Sequence, residues 1–223
     1  MREYRACLAA VALAACGQQG APPASDSELP RQRQADAVAH TMVYECSDDY
    51  TFVARIQRDT AWIFLPQRTV ALLQVPSDSG VRYEGDEVTL GIIAEEARLQ
   101  QGNAAARECV NNRRRAVWEH AKLNGADFRA VGNEPGWHLE IYHDRIVLIT
   151  DYGAARYEFD TPEPVAEPNA FHTTYRTEDN SHSLTVLLES QRCRDTMSGE
   201  EFETTVTVTL DDKTFSGCGR PLH

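Results

Sequence analysis

Along most of this chain apolar and polar residues alternate with a period of two. Tyr50, Phe52, Ala54 and Ile56 fall on one side of an extended segment, and Thr51, Val53 and Arg55 on the other. Successive side chains of a strand point to opposite faces, so this alternation marks a strand with one buried side. The same reading makes strands of 43–46, 61–65, 69–75, 81–83, 87–93 and 97–99. Pro66 and Pro76 end two of them, and Ser79-Gly80 marks a turn. Short strands at this spacing, with turn residues between them, predict a small antiparallel barrel or sandwich over 41–110.

The period changes once. Residues 111–125 read as a connecting helix. Asn112 can cap it, because its side-chain oxygen can accept from free amides of the first turn. Ala116, Val117, Ala121 and the stem of Lys122 make a weak apolar side, with Trp118 beside them. Asn124-Gly125 stops the helix, since glycine adopts positive φ freely. Arg113, Arg114 and Arg115 sit at the wrong end for the helix dipole and are expected to pair with acidic neighbours. Beyond the helix, 126–223 returns to period two. Trp137, Leu139 and Ile141 face one way; His138, Glu140 and Tyr142 face the other and read as a solvated sheet face. Further strands are expected at 146–149, 157–159, 171–175 and 184–188. Over 202–210, Val206, Val208 and Leu210 alternate with Thr205, Thr207 and Thr209. Residues 161–168 read as a proline-rich loop. The expected fold is all-β: a small antiparallel barrel, a short helix, and a second antiparallel domain over 126–223.

The N-terminus has another pattern. Arg2 and Arg5 precede an apolar run over 6–15, the order of a secretory signal peptide. The run is too short to span a bilayer, which takes ~20 residues. Leu13-Ala14-Ala15-Cys16 resembles the lipobox of bacterial lipoproteins. That resemblance implies cleavage before Cys16, a diacylglycerol on its thiol, and attachment to a membrane of the cell envelope. Gly17, rather than aspartate, follows the cysteine, which implies the outer membrane, facing the periplasm. Residues 17–40, rich in Gly, Gln, Pro, Ala, Ser and charges, read as a flexible tether with a span of roughly 25–30 Å.

Charge and cysteines narrow the function. The chain carries a net charge of −12. Residues 1–15 hold Arg2, Arg5 and Glu3, so their removal takes the remaining 208 residues to −13. Such a chain repels nucleic acid and attracts basic partners, and no basic patch with interleaved aromatics argues otherwise. Cys7 leaves with the signal peptide and Cys16 is the lipidation site. Cys46, Cys109, Cys193 and Cys218 remain, an even number that reads as two disulfides in an exported chain. Three pairings exist; Cys46–Cys109 with Cys193–Cys218 is expected, because each then closes one half of the chain.

One stretch carries a second resemblance. Tyr44-x-Cys46, Phe52, Leu65-Pro66, the run Val75-Pro76-Ser77-Asp78-Ser79-Gly80-Val81-Arg82-Tyr83, and Cys109 resemble the membrane-bound inhibitors of c-type lysozyme over residues 43–109. The resemblance implies an eight-stranded barrel with a disulfide near the domain's ends. It also implies a lysozyme partner, met by a loop in which Ser77, Ser79 and Gly80 contact the cleft, with Tyr83 supporting them. The family adds a lysine from a Trp-x-Lys-Gly run; counted without a gap, those positions fall on Gly91, Ile92, Ile93 and Ala94. The alternative expectation is therefore a non-inhibitory envelope scaffold, whose second domain contacts a protein or peptidoglycan.

In the second half, Gly132-Asn133-Glu134-Pro135-Gly136-Trp137, Cys193-x-Asp195-x-Met197-Ser198-Gly199 and Gly217-Cys218-Gly219 resemble a group of uncharacterised bacterial envelope proteins over 127–222. Glu134 reads as a turn-forming acid, and the Asp195–Ser198 stretch as a turn beside a disulfide. No nucleophile elbow, H-E-x-x-H spacing or phosphate-cradling loop occurs. No catalytic residue, metal ligand or cofactor is assigned, and the expected activity is binding.

Overall fold

A computed structural model describes residues 38–167, 169 and 171–223. The signal segment 1–15, Cys16 and the tether as far as residue 37 lie outside the described residues.

Eight strands follow one another: β1 (His40–Cys46), β2 (Thr51–Gln57), β3 (Thr60–Phe64), β4 (Thr69–Val75), β5 (Val81–Gly85), β6 (Val88–Ile93), β7 (Glu96–Gln101) and β8 (Arg107–Asn111). Each pairs antiparallel with the next, and β8 returns to β1 to close a barrel. Closure removes the exposed edges that an open sheet of this size would present. The alternating residues meet inside: Phe52, Ala54, Ile63, Leu72, Leu90 and Leu99 are all buried in one core. The closing seam is short, with Tyr44↔Asn111, Glu45↔Val110 and Cys46↔Cys109 as its register, and a disulfide joins the last pair.

Helix α1 (Arg113–Leu123) starts where Asn112 accepts a hydrogen bond from the Arg115 amide. It ends at Asn124, followed by Gly125 at φ 87°. Then come β9 (Ala126–Asn133), β10 (Gly136–Tyr142), β11 (Arg145–Thr150), a 3-10 turn (Asp151–Gly153), β12 (Ala155–Asp160), β13 (Val165–Glu167), β14 (His172–Glu178), β15 (Ser183–Glu189), β16 (Cys193–Arg194), β17 (Glu201–Phe202), β18 (Thr204–Leu210) and β19 (Lys213–Pro221). Nine of these form an antiparallel sheet in the order β12-β11-β10-β9-β19-β18-β15-β14-β13. It curls far enough for β12 to approach β14, giving a half-barrel. Its inner face packs Trp137, Leu139, Ile141, Val206, Val208 and Leu210 into a second core. The outer face meets α1 in a third, through Trp118, Tyr142, Val147 and Phe202. The Cys193–Cys218 disulfide pins the small β16–β17 hairpin to β19.

Four expectations change. The 161–168 segment contains β13, which pairs with β14 through Val165↔Thr174 and Glu167↔His172. Proline is tolerated beside a sheet-edge strand because it need not donate to the ladder. The 202–210 strand is divided, since Phe202 pairs with Cys193 while Thr204 opens β18. On α1, Val117 is exposed and Trp118 is buried: the large indole takes the sheet-facing stripe, 5.2 Å from the Phe202 ring. Finally, the face bearing His138, Glu140 and Tyr142 is not freely solvated: α1 packs over Tyr142, and His138 and Glu140 are only partly exposed. Two of the helix's three leading arginines pair as expected, Arg113 with Glu95 at 2.5 Å and Arg115 with Glu45 at 2.8 Å; Arg114 forms no ion pair among the described residues. Both acids belong to the barrel, so these pairs also seat the helix against it.

Candidate functional site

The antiparallel order puts the β4–β5 loop, the β6–β7 turn, the start of β1 and the end of β8 at one end of the barrel. The loop contains Ser77, Ser79 and Gly80, all exposed. Its backbone is held from within: Ser77 Oγ donates to the Ser79 carbonyl at 2.7 Å and accepts from the Ser79 amide at 3.4 Å. Neither bond uses the Ser79 hydroxyl. Gly80 has φ 64°, and a Cβ there would overlap the Ile92 carbonyl oxygen and stand 2.8 Å from Ile93 Cγ1. Glycine thus lets the loop lie directly on β6. Tyr83 does not share that surface. It is 3% exposed and packs in the barrel core, so it can brace the loop but cannot touch a partner. Its burial, and then the charge of Asp59, hold the phenol above its ordinary pKa.

Ile93 stands beside Gly80 and is 58% exposed. It presents an apolar side chain next to the loop. Ala94, at φ 54°, forms the adjoining turn. Glu95 follows, its carboxyl pushed down to about 2, first by the hydrogen bond from Arg113 and then by that from Asn111.

The three glycine-rich motifs of the second half meet around one indole. Trp137 reaches from β10 across Gly132 on β9 to Gly217 on β19. Asn133 donates to the Asp195 carboxylate at 2.7 Å, and Cys193 is bonded to Cys218 next to Gly217. Asp195 also accepts from the Met197 and Ser198 amides at 3.1 and 2.6 Å. Burial raises its pKa, but these bonds outweigh burial and leave it below the ordinary value. It is a turn-forming acid held ionised, as expected for this stretch. A methyl group on Gly217 would overlap both the Val131 carbonyl and the Trp137 ring. Gly217→Ala is expected to destabilise the protein by about 1–3 kcal/mol, the usual cost of overpacking, read as a lowered urea midpoint.

The sequence reading missed a cleft. Its strongest polar group is Arg129 on β9, which is 7% exposed and paired to Glu140, its cross-strand neighbour on β10. Tyr142 Oη donates to the other oxygen of Glu140 at 2.6 Å. His138, on the same face, has its pKa pushed down to about 4, first by desolvation and then by Arg129. His120 of α1 bridges to barrel Thr41 at 3.1 Å. The signal available in sequence was Arg129 within the otherwise apolar Phe128-Arg129-Ala130-Val131.

His138 has a consequence for stability. Its folded pKa lies below the ordinary imidazole value, so the unfolded chain takes up the proton first. The contribution is complete above about pH 6.5 and is lost progressively between there and about pH 4. By proton linkage the loss is about 2–3 kcal/mol. His138→Gln is expected to flatten this part of the profile, measured by urea unfolding at pH 7 and 4.5.

The geometry defines a class: an all-β protein of an eight-stranded closed barrel joined by one helix to a nine-stranded half-barrel. Comparison of the chain with family models, curated proteins and solved structures returns no match. Among the described residues, no group of three or more His, Cys, Asp or Glu could hold a metal ion. No helix among them is long and apolar enough to cross a membrane.

Proposed function

We propose that this is an envelope protein, lipid-anchored through Cys16, that inhibits a c-type lysozyme by presenting the Ser77–Gly80 loop to the enzyme's cleft. One observation carries the reading: the loop stands exposed at the barrel end, its backbone braced by Ser77 and Gly80, with no partner for the Ser79 hydroxyl among the described residues. A loop already held in shape has less entropy to lose on docking. The net charge of −12 suits a basic enzyme and would speed encounter, with inhibition weakening as salt rises.

The test is titration of the purified chain into a c-type lysozyme assay. Inhibition is expected at micromolar protein, and Ser79→Asp is expected to weaken it at least tenfold, because an added carboxylate would face the two in the lysozyme cleft. Absence of inhibition at micromolar protein overturns the reading.

Exposed Ile93 favours a second reading. Without a cation at that position the loop cannot pair with the enzyme's carboxylates. The protein would then be an envelope scaffold whose second domain contacts a protein or peptidoglycan. Recovery of such a partner from cross-linked envelopes, together with failure to bind lysozyme, selects this alternative.

A further inference from the structure

A cleft of about 800 Å³ lies between the end of the barrel and the outer face of the second sheet. That volume is within the roughly 300–1,000 Å³ of small-ligand sites. Its walls are apolar: Met42 and Ile56 from the barrel, Ala94 from the β6–β7 turn, and Ala116 and Val117 from α1. Its polar lining includes Arg129, His138 and Glu140. The buried Nε of Arg129 has no hydrogen-bond partner among the described residues. That atom is sealed from solvent, but Arg129 itself lines the cleft, and guanidinium N–H groups not bonded to Glu140 can donate to an oxygen acceptor placed there. His138 adds a ring with a donor and an acceptor nitrogen.

Charge then restricts the ligand. The charged groups of Arg129 and Glu140 are paired, and so are those of Arg113 and Glu95 at the rim. An anionic head would meet Glu140 and Glu95; a cationic head would meet Arg129 and Arg113. Neither finds an unpaired opposite charge, and each pays for losing its water. An uncharged head bearing hydroxyl groups pays far less and can still accept from Arg129.

We propose that the cleft binds a neutral single-chain amphiphile, its hydrocarbon tail along Met42, Ile56 and Val117 and its hydroxylated head at Arg129 and His138. The site uses no residue of the Ser77–Gly80 loop and stands independently of lysozyme inhibition.

Three probes with one tail test this: n-octyl glucoside, octanoate and octylammonium, each titrated below its micelle concentration into the purified full chain. Calorimetry gives affinities and amide spectra give the location. The glucoside is expected to bind at one site, to shift the amides of Ala94, Val117 and His138, and to bind at least threefold tighter than either charged probe. Val117→Glu, at an exposed helix position on the wall, is expected to weaken the glucoside about tenfold with Tm unchanged. The proposal is overturned by no saturable shift at the cleft, by shifts confined elsewhere, or by a head-group preference below threefold. Unchanged glucoside affinity in Val117→Glu overturns it as well.

Discussion

Arg129→Met is expected to cost about 3–5 kcal/mol, the usual penalty for leaving one member of a buried ion pair alone. Arg129 is 7% exposed and the Glu140 side chain 16%, so neither can recover full hydration by a rotamer change. The carboxylate would keep only its bond from Tyr142. The cost is not the worth of the pair, and a double variant separates the two. In Arg129→Met with Glu140→Gln the charge is gone from both sides, while the amide oxygen can still accept from Tyr142. Replacement of a buried pair by neutral groups of similar volume is often close to neutral. The double variant is therefore expected to regain most of the loss, about 2–4 kcal/mol. Urea unfolding of the four proteins gives the cycle. A double variant as unstable as Arg129→Met would mean that lost contacts of the guanidinium, which lies 5.6 Å from the Trp118 ring centre, dominate instead.

That pair also shows what could be read from sequence. Alternation put His138, Glu140 and Tyr142 on one face correctly, because strand period is a local property. Whether that face is wet depends on what covers it, and the cover is α1, placed by contacts with the barrel as well as the sheet. A polar residue in a strand is satisfied either by water or by a cross-strand partner. Arg129 and Glu140 become partners only once the β9–β10 register is known. The cleft is harder still, since its lining comes from β1, β2, the β6–β7 turn, α1, β9 and β10. The Ser77–Gly80 loop was legible for the opposite reason. Its serine and glycine chemistry is local, and its position follows from the two strands it joins. The barrel itself was half legible: alternating strands are consistent with a sandwich or a barrel, and only the β8-to-β1 seam decides.

The seam carries the other large effect. Replacing Cys46 and Cys109 with alanine is expected to cost about 4 kcal/mol. The bond spans 63 residues, and chain-entropy reasoning gives about this value for such a loop. Cys193–Cys218, spanning 25 residues, is expected to contribute about 3.5 kcal/mol, because the dependence on loop length is logarithmic. Removing the longer bridge should also raise the slope of the urea transition, since an unbridged chain exposes more surface when unfolded. Hydrogen exchange should localise the native-state consequence. Only three register pairs join β1 to β8, so their amides should lose protection before those of β2 to β7. The Ser77–Gly80 loop rests on β6 rather than on the seam. Its presentation should survive loss of the bridge at temperatures where the barrel remains folded, and lysozyme titration of the alanine variant below its Tm would show whether the loop acts apart from the bond that closes the barrel.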